Sequence, residues 1–347
     1  MNVRLFRYFT VLAVAFYSLT ACNLVKEDLD DCQDVDFRLD YQLRLVTNIT
    51  TELQTELGLQ ADLEVKGLLE EYLKDIFTDF AKDVDLSFYD VDIPMRRKEH
   101  KTETMNGSES SYTLTLAAGD YMHLAVANIA SDSSVRLLDD QFCKDASLTQ
   151  KIEDNLAPAH TTGLFTARKE IDVKSGINQH FDVKLYMVNA ASALVINMEE
   201  AVNTVESVTV FVEGMATNFN IADSVYTYNL NPQVATTKLL TADGNKACFA
   251  SVHFPSKPAA PSGVIIQVDD DDVTADEALW QWNVLAKMTD GTITKSTLKI
   301  SQPLDAGHIR ILNAKMGDNG VVTTNDMTVS VSITLDWTPG IDFPVIF

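Results

Sequence analysis

The sequence has 347 residues, with 50 acidic against 27 basic side chains, a formal net charge of −23 and a hydrophobic fraction of 46%. That length and apolar content suit two domains with cores of ordinary size. So negative a chain repels phosphate backbones and anionic headgroups, which argues against nucleic acid as a partner and against electrostatic binding to a lipid surface.

The first residues read as a targeting segment rather than as fold. Arg4 and Arg7 form a short positive region, Tyr8 to Tyr17 is an uncharged apolar stretch, and small or polar residues lead to Leu19-Thr20-Ala21-Cys22. A membrane-spanning helix needs about 20 apolar residues, so this run is too short to span. Its flanks are those of an export signal. The Leu-x-Ala-Cys ending resembles a lipobox, which implies removal of residues 1–21 and lipid on the Cys22 thiol. The mature chain is then anchored to a membrane rather than through it. Residues 22–33 form an acidic tether, in which Lys26, Glu27 and Asp28 resemble the surface-export signal of Bacteroidetes lipoproteins.

Strand signals follow. Val35, Phe37, Leu39, Tyr41, Leu43 and Leu45 alternate with polar residues, which predicts a long strand with one buried face in an antiparallel sheet. Between residues 60 and 82, Leu68, Leu69, Tyr72, Leu73, Ile76, Phe77 and Phe80 recur at helical spacing and predict one amphipathic helix. Strands are expected at Val84–Tyr89, Tyr112–Leu116 and Leu124–Ala127, the last two as a hairpin turning at Ala118-Gly119-Asp120, with a polar loop over 95–110. Segment 131–160 reads as irregular with some helix, and Leu164–Ala167 and Ile171–Val173 as short strands. A second strand-rich half runs from Phe181–Leu185 and Ala193–Ile196 through Val208–Val212, Val225–Leu230 and Val264–Val268. It continues with Trp280–Ala286, Ile293–Ile300 and Ile309–Leu312, and closes at Val329–Trp337. The prolines of 255–261 mark a rigid surface loop before Val264. This spacing predicts two tandem β-sandwich domains, 34–181 and 182–347, with the helix inserted in the first.

No nucleophile elbow, zincin helix, phosphate-binding loop or dinucleotide glycine pattern is present, so the chain is expected to be no enzyme and to hold no cofactor. The histidines, His100, His123, His160, His180, His253 and His308, lack metal-ligand spacing. The run Asp269 to Asp272 has oxygen ligands suited to calcium but lacks the EF-hand glycine and glutamate, and reads as a solvated loop. No metal site is expected. Asp223-Ser224-Val225 resembles a bacterial O-glycosylation acceptor. Trp280 and Trp282 share one face of a strand, either as a sugar-stacking platform or as core residues. With Cys22 lipidated, Cys32, Cys143 and Cys248 remain, enough for one disulfide and one free thiol in an oxidising compartment. Cys32 with Cys143 is the favoured pair, and Cys248 in Ala247-Cys248-Phe249 reads as a small buried hydrophobe.

The order of these pieces resembles a known family. The lipobox is followed by Glu27-Asp28-Leu29-Asp30-Asp31-Cys32 and an alternating strand. Then come Asp85-Leu86-Ser87-Phe88-Tyr89-Asp90, Tyr112 to Leu116, Gly119-Asp120-Tyr121 and a closing Ser332-Ile333-Thr334-Leu335-Asp336-Trp337. This is similar to the FimB-type fimbrial anchor lipoproteins of Bacteroidales. The resemblance implies two transthyretin-like sandwiches, a non-catalytic anchoring role on the outer membrane at the cell surface, and fimbrial stalk subunits as partners, with no small-molecule substrate. It also implies joining of subunits through exchanged strands. The segment Met327 to Phe347 is then the expected contact strand, most sharply Ile341, Phe343, Val345 and Phe347, unless 329–337 is simply the last core strand. The alternative is a surface glycan-binding lipoprotein of a polysaccharide uptake system. An exposed, coplanar Trp280–Trp282 pair would favour it.

The lipid assignment has a direct check. Cys22→Ala should abolish incorporation of labelled palmitate into the protein, and label retained by the variant would remove the lipobox reading.

Overall fold

The computed structural model describes residues 37–45, 49–78, 80–138, 141–242, 244–259 and 278–334. Within them the chain is mostly β. The first half contains β1 (Phe37–Leu45), helices α1 (Ile49–Gln60) and α2 (Leu63–Leu73), β2 (Ala81–Asp90), β3 (Arg97–Gly107), β4 (Glu109–Leu116) and β5 (Gly119–Ala127). It continues with β6 (Val135–Leu138), β7 (Ser147–Gln150), β8 (Leu156–Ala157), β9 (Phe165–Val173) and β10 (Gln179–Met187). The second half contains β11 (Ala190–Asn197), β12 (Val205–Glu213), β13 (Asn218–Asn220), β14 (Val225–Thr227), β15 (Gln233–Ala235) and β16 (Thr237–Leu240). After these come β17 (Lys246–His253), β18 (Trp280–Met288), β19 (Ile293–Ile300), β20 (Ile309–Met316), β21 (Val322–Thr323) and β22 (Val329–Thr334). No helix among the described residues is long and apolar enough to cross a membrane.

Four sheets form, ordered β3-β2-β5-β9-β10-β1-β4, β16-β17-β11-β20-β21, β22-β19-β18-β12-β15-β8 and β14-β13-β7-β6. The five- and six-stranded sheets face one another as a sandwich around Trp280, Trp282, Leu194, Phe249 and Leu298. The seven-stranded sheet curls, so that its two edge strands approach and Tyr112 Oη donates to Thr104 O at 2.8 Å. Its inner face packs with α1 and α2 through Leu43, Leu57, Leu69, Leu86 and Phe88. Its outer face packs on the four-stranded sheet through Met122, Leu124, Leu148 and Phe219.

The sheets are mixed rather than purely antiparallel. β1 lies parallel to β10, β11 to β20 and β15 to β8. Parallel partners need long connections, and the β1–β10 crossover encloses nearly the whole first half. The expected boundary at 182 falls inside β10, and the chain changes sheets between Met187 and Ala190. The halves also exchange elements: β13 and β14 complete the sheet of β6 and β7, and β8 extends that of β15.

Several local expectations are corrected. One amphipathic helix becomes a helical hairpin, because Asp62 caps α2 by accepting from Val65 N at 3.0 Å, and α2 ends at Leu73. Ile76 and Phe77 stay buried in the following turn, while Phe80 is largely exposed. The polar loop over 95–110 is instead strand β3, whose only buried side chain is Met105. As an edge strand it carries almost no apolar alternation to reveal it. β4 and β5 follow one another without pairing, since β4 joins β1 and β5 lies between β2 and β9. Segment 131–160 is strands β6 to β8 with a 3₁₀ turn at Cys143–Asp145, and β9 is one strand where two were expected. Of the proline-rich loop, Pro255 and Ser256 are buried and Lys257 to Ala259 exposed.

The five-stranded sheet is apolar on both faces. On β11, Ala191, Ala193 and Val195 face the helices, and Ala190, Leu194 and Ile196 face the six-stranded sheet. The helical hairpin therefore joins the two halves, and a polar clasp fixes its tip. Gln60 Oε1 accepts from Ile311 N at 2.8 Å, Gln60 Nε2 donates to Ile309 O at 3.4 Å, and Asn313 Nδ2 donates to Gln60 O at 3.1 Å. The Gln60 amide thus stands where a strand beyond β20 would stand. Lys246 pairs with Asp62, holding that carboxyl below its usual range together with the Val65 amide, and Ala242 N donates to Glu64 Oε1 at 2.8 Å.

Gln60→Ala leaves the Ile311 amide without its partner and should lower the unfolding free energy by about 1–3 kcal/mol in urea titrations. An unchanged midpoint would show that the clasp contributes nothing.

Candidate functional site

Sheet edges present unpaired N–H and C=O groups, so a β-rich chain makes contacts most readily there. Several edges of this molecule are shielded. β3 and β4 close on each other, Gln60 covers β20, and β8 bonds back onto its own turn, with Glu153 N to Leu156 O at 2.9 Å and Leu156 N to Glu153 O at 2.8 Å. β22 is different. It pairs only with β19, from Val329 opposite Ile300 to Thr334 opposite Lys295, and no strand covers its outer side among the described residues. Val329 and Val331 pack partly on the sandwich core, whereas Ile333 is 46% exposed and Met327 fully exposed. The segment 327–334 is thus both the last described strand and a weakly buried edge.

The tryptophan pair is not a sugar platform. Trp280 and Trp282 are 2% and 0% exposed, with ring planes 57° apart and centroids 6.1 Å apart, and Trp280 Nε1 donates to Gln302 O at 2.9 Å. Gly214 lies against them with φ +93°, and a Cβ there would sit 2.7 Å from Trp280 Cα, so glycine is required. Cys143 and Cys248 are both buried, and burial pushes their thiols up to about 11 and about 12. Such thiols are poor nucleophiles. Cys32, the expected partner of Cys143, lies outside the described residues. So do Cys22, Lys26, Glu27, Asp28, Asp269 to Asp272, Ile341, Phe343, Val345 and Phe347. Asp223, Ser224 and Val225 form the exposed β13–β14 turn, with Ser224 at φ 56°. Among the described residues no group of three or more His, Cys, Asp or Glu is placed to hold a metal.

Three histidines are sealed in the interior, which sequence spacing does not reveal. His253 Nδ1 lies 2.7 Å from Phe254 O, and a carbonyl only accepts, so Nδ1 carries the proton. The Ser192 hydroxyl then donates to His253 Nε2, at 2.7 Å. The pair has no carboxylate behind it and both residues are buried, so it ties β11 to β17 from inside. His160 Nε2 donates to Gln150 Oε1 at 2.7 Å, and His123 Nδ1 to Ser87 O at 3.0 Å while stacking on Phe88. Burial pushes His123 down to about 3 and His253 to about 4, and it lowers His160 against the pull of Asp132. Burial works to raise the Asp132 carboxyl, but the His160 ring and the Ser134 and Thr161 donors outweigh it and leave it low.

No family model matches the sequence, and no curated protein matches it. Solved structures do. A candidate adhesin from Bacteroides ovatus is 12% identical at TM-score 0.48, over 88% of this chain and 97% of that one. A candidate polysaccharide-binding protein from Bacteroides thetaiotaomicron is 8% identical at TM-score 0.47, over 84% and 97%. The fimbrial anchor protein Mfa2 from Porphyromonas gingivalis is 10% identical at TM-score 0.44, over 87% and 98%. At these scores the likenesses carry no argument about function.

The histidines set a pH dependence. Each is neutral when folded, while the unfolded chain protonates them near pH 6.5. Stability should be complete above about pH 6.5 and fall as the pH drops toward about 4, because the unfolded state then binds more protons. Melting temperatures at pH 7.5, 5.5 and 4.5 should decline in that order, and a flat profile would show that these rings titrate normally.

Proposed function

We propose that this chain is a structural anchor and assembly subunit of a surface fimbria, tied to the outer membrane by lipid on Cys22 and joined to neighbouring stalk subunits by β-strand contacts. The observation that carries the reading is β22. A six-residue edge strand, exposed at Met327 and Ile333, leads directly into the segment that holds the alternating Ile341, Phe343, Val345 and Phe347. A strand added beside β22 would gain backbone hydrogen bonds from its open side and specificity from alternate side chains. Polymer subunits need an open edge of this kind, whereas a monomer that works alone shields it.

The sequence supplies the other supports: the lipobox at Cys22, the acidic tether with Lys26, Glu27 and Asp28, and the ordered motifs that resemble fimbrial anchors. A mostly β, sandwich-like body suits a load-bearing role, because a pull on a sheet is shared among many interstrand bonds. In this reading the two sandwiches are transthyretin-like and the protein acts without a cofactor or small-molecule substrate.

Deleting the gene should release fimbriae into the medium or change their length. A chain lacking residues 341–347 should still be lipidated and folded, yet fail to retain fimbriae on cells. Cell-attached fimbriae of normal length in the deletion strain would overturn the proposal.

A further inference from the structure

A cleft of about 1170 Å³ opens where the end of α2, the 151–161 segment and the β15–β16 link meet. It is somewhat larger than the ~300–1,000 Å³ typical of ligand sites, and it lies at a junction of packed layers, where such sites concentrate. It is distinct from the edge described above, since β8 and β22 bound opposite sides of the six-stranded sheet.

The walls are fixed in advance. His160 N donates to Val252 O at 2.8 Å, and Gln150 Nε2 to Pro158 O at 2.9 Å. Thr161 N and Thr162 N both donate to Asp132 Oδ2, at 2.9 and 3.1 Å, and Thr236 Oγ1 donates to Val210 O at 2.8 Å. A preorganised wall loses little entropy when a ligand arrives.

The lining has a specific chemistry. The carboxylates of Asp75 and Glu153 accept no hydrogen bond from a described residue, and both line the cleft. Lys151 and Lys238 balance their charge, so the cleft favours neither a polyanion nor a polycation. Tyr72 and Ile76 give it an apolar surface, with the Thr237 hydroxyl 3.5 Å from Tyr72 Oη. Free carboxylates are strong acceptors for hydroxyl donors. An aromatic ring beside them covers C–H faces. A ligand rich in hydroxyls, uncharged and amphipathic, matches all of these groups, and the volume admits several sugar rings.

We infer that this cleft binds a neutral oligosaccharide, with Tyr72 against a sugar ring and Asp75 and Glu153 accepting from its hydroxyls. The site is independent of the fimbrial reading and of the buried tryptophan pair. In such a protein it would add glycan adhesion to anchoring.

The test is saturation-transfer NMR on the full chain with cellohexaose, xylohexaose and mannohexaose as probes. At least one should receive transfer. The double variant Asp75→Asn, Glu153→Gln, altered only at exposed positions, should lose roughly tenfold or more in affinity with its melting temperature unchanged. Tyr72→Phe, which keeps the ring, should retain binding. No transfer to any of the three sugars overturns the inference, and so does binding that survives the double variant.

Discussion

A sheet buried on both faces organises this molecule. Every residue of β11 from Ala190 to Ile196 is buried, so neither face of the five-stranded sheet can be left to water. One face is covered by the six-stranded sheet, as in an ordinary sandwich. The other is covered by α1 and α2, which belong in sequence to the opposite half of the chain. The small Ala191 and Ala193 let the helices come close, and Leu57, Val65 and Leu69 fill the space. The two halves are consequently one packed body rather than beads on a string.

The exchange of elements deepens that coupling. The four-stranded sheet takes two strands from each half, and the 151–161 segment reaches β17 through His160 N and Val252 O. Three neutral histidines are buried in this body: His253 between β11 and β17, His123 between β5 and β2, and His160 where the 151–161 segment meets Asn189. Each satisfies its polar atoms only while uncharged. The interior is therefore firm at neutral pH and loses stability as the pH falls below about 6.5. The same packing leaves the cleft open, because three elements from different layers meet there with no fourth among the described residues.

Edges tell a second story. β3 against β4, the Glu153–Leu156 turn and Gln60 each occupy an edge that would otherwise be free to pair. β22 stands outside that group, and its Ile333 and Met327 remain in water.

The sequence alone carries the β-rich class, the alternating strands such as β22 and the absence of enzyme motifs, together with the expectation of lipid on Cys22. These are local properties: a period of two, a lipobox, a spacing. It also located α2 approximately, because an apolar stripe is written within one turn of its neighbours. It misread β3, whose polar edge carries no period, and the β4–β5 hairpin, because a turn marks a reversal and not a partner. It left open whether Trp280 and Trp282 face water or core, since alternation says which residues share a face but not what covers it. Only the tertiary structure decided that. The parallel pairing of β1 with β10, the Ser192–His253 bond and the cleft bring together residues far apart in the chain, and such contacts are set by which layer packs on which, a choice that no local pattern encodes.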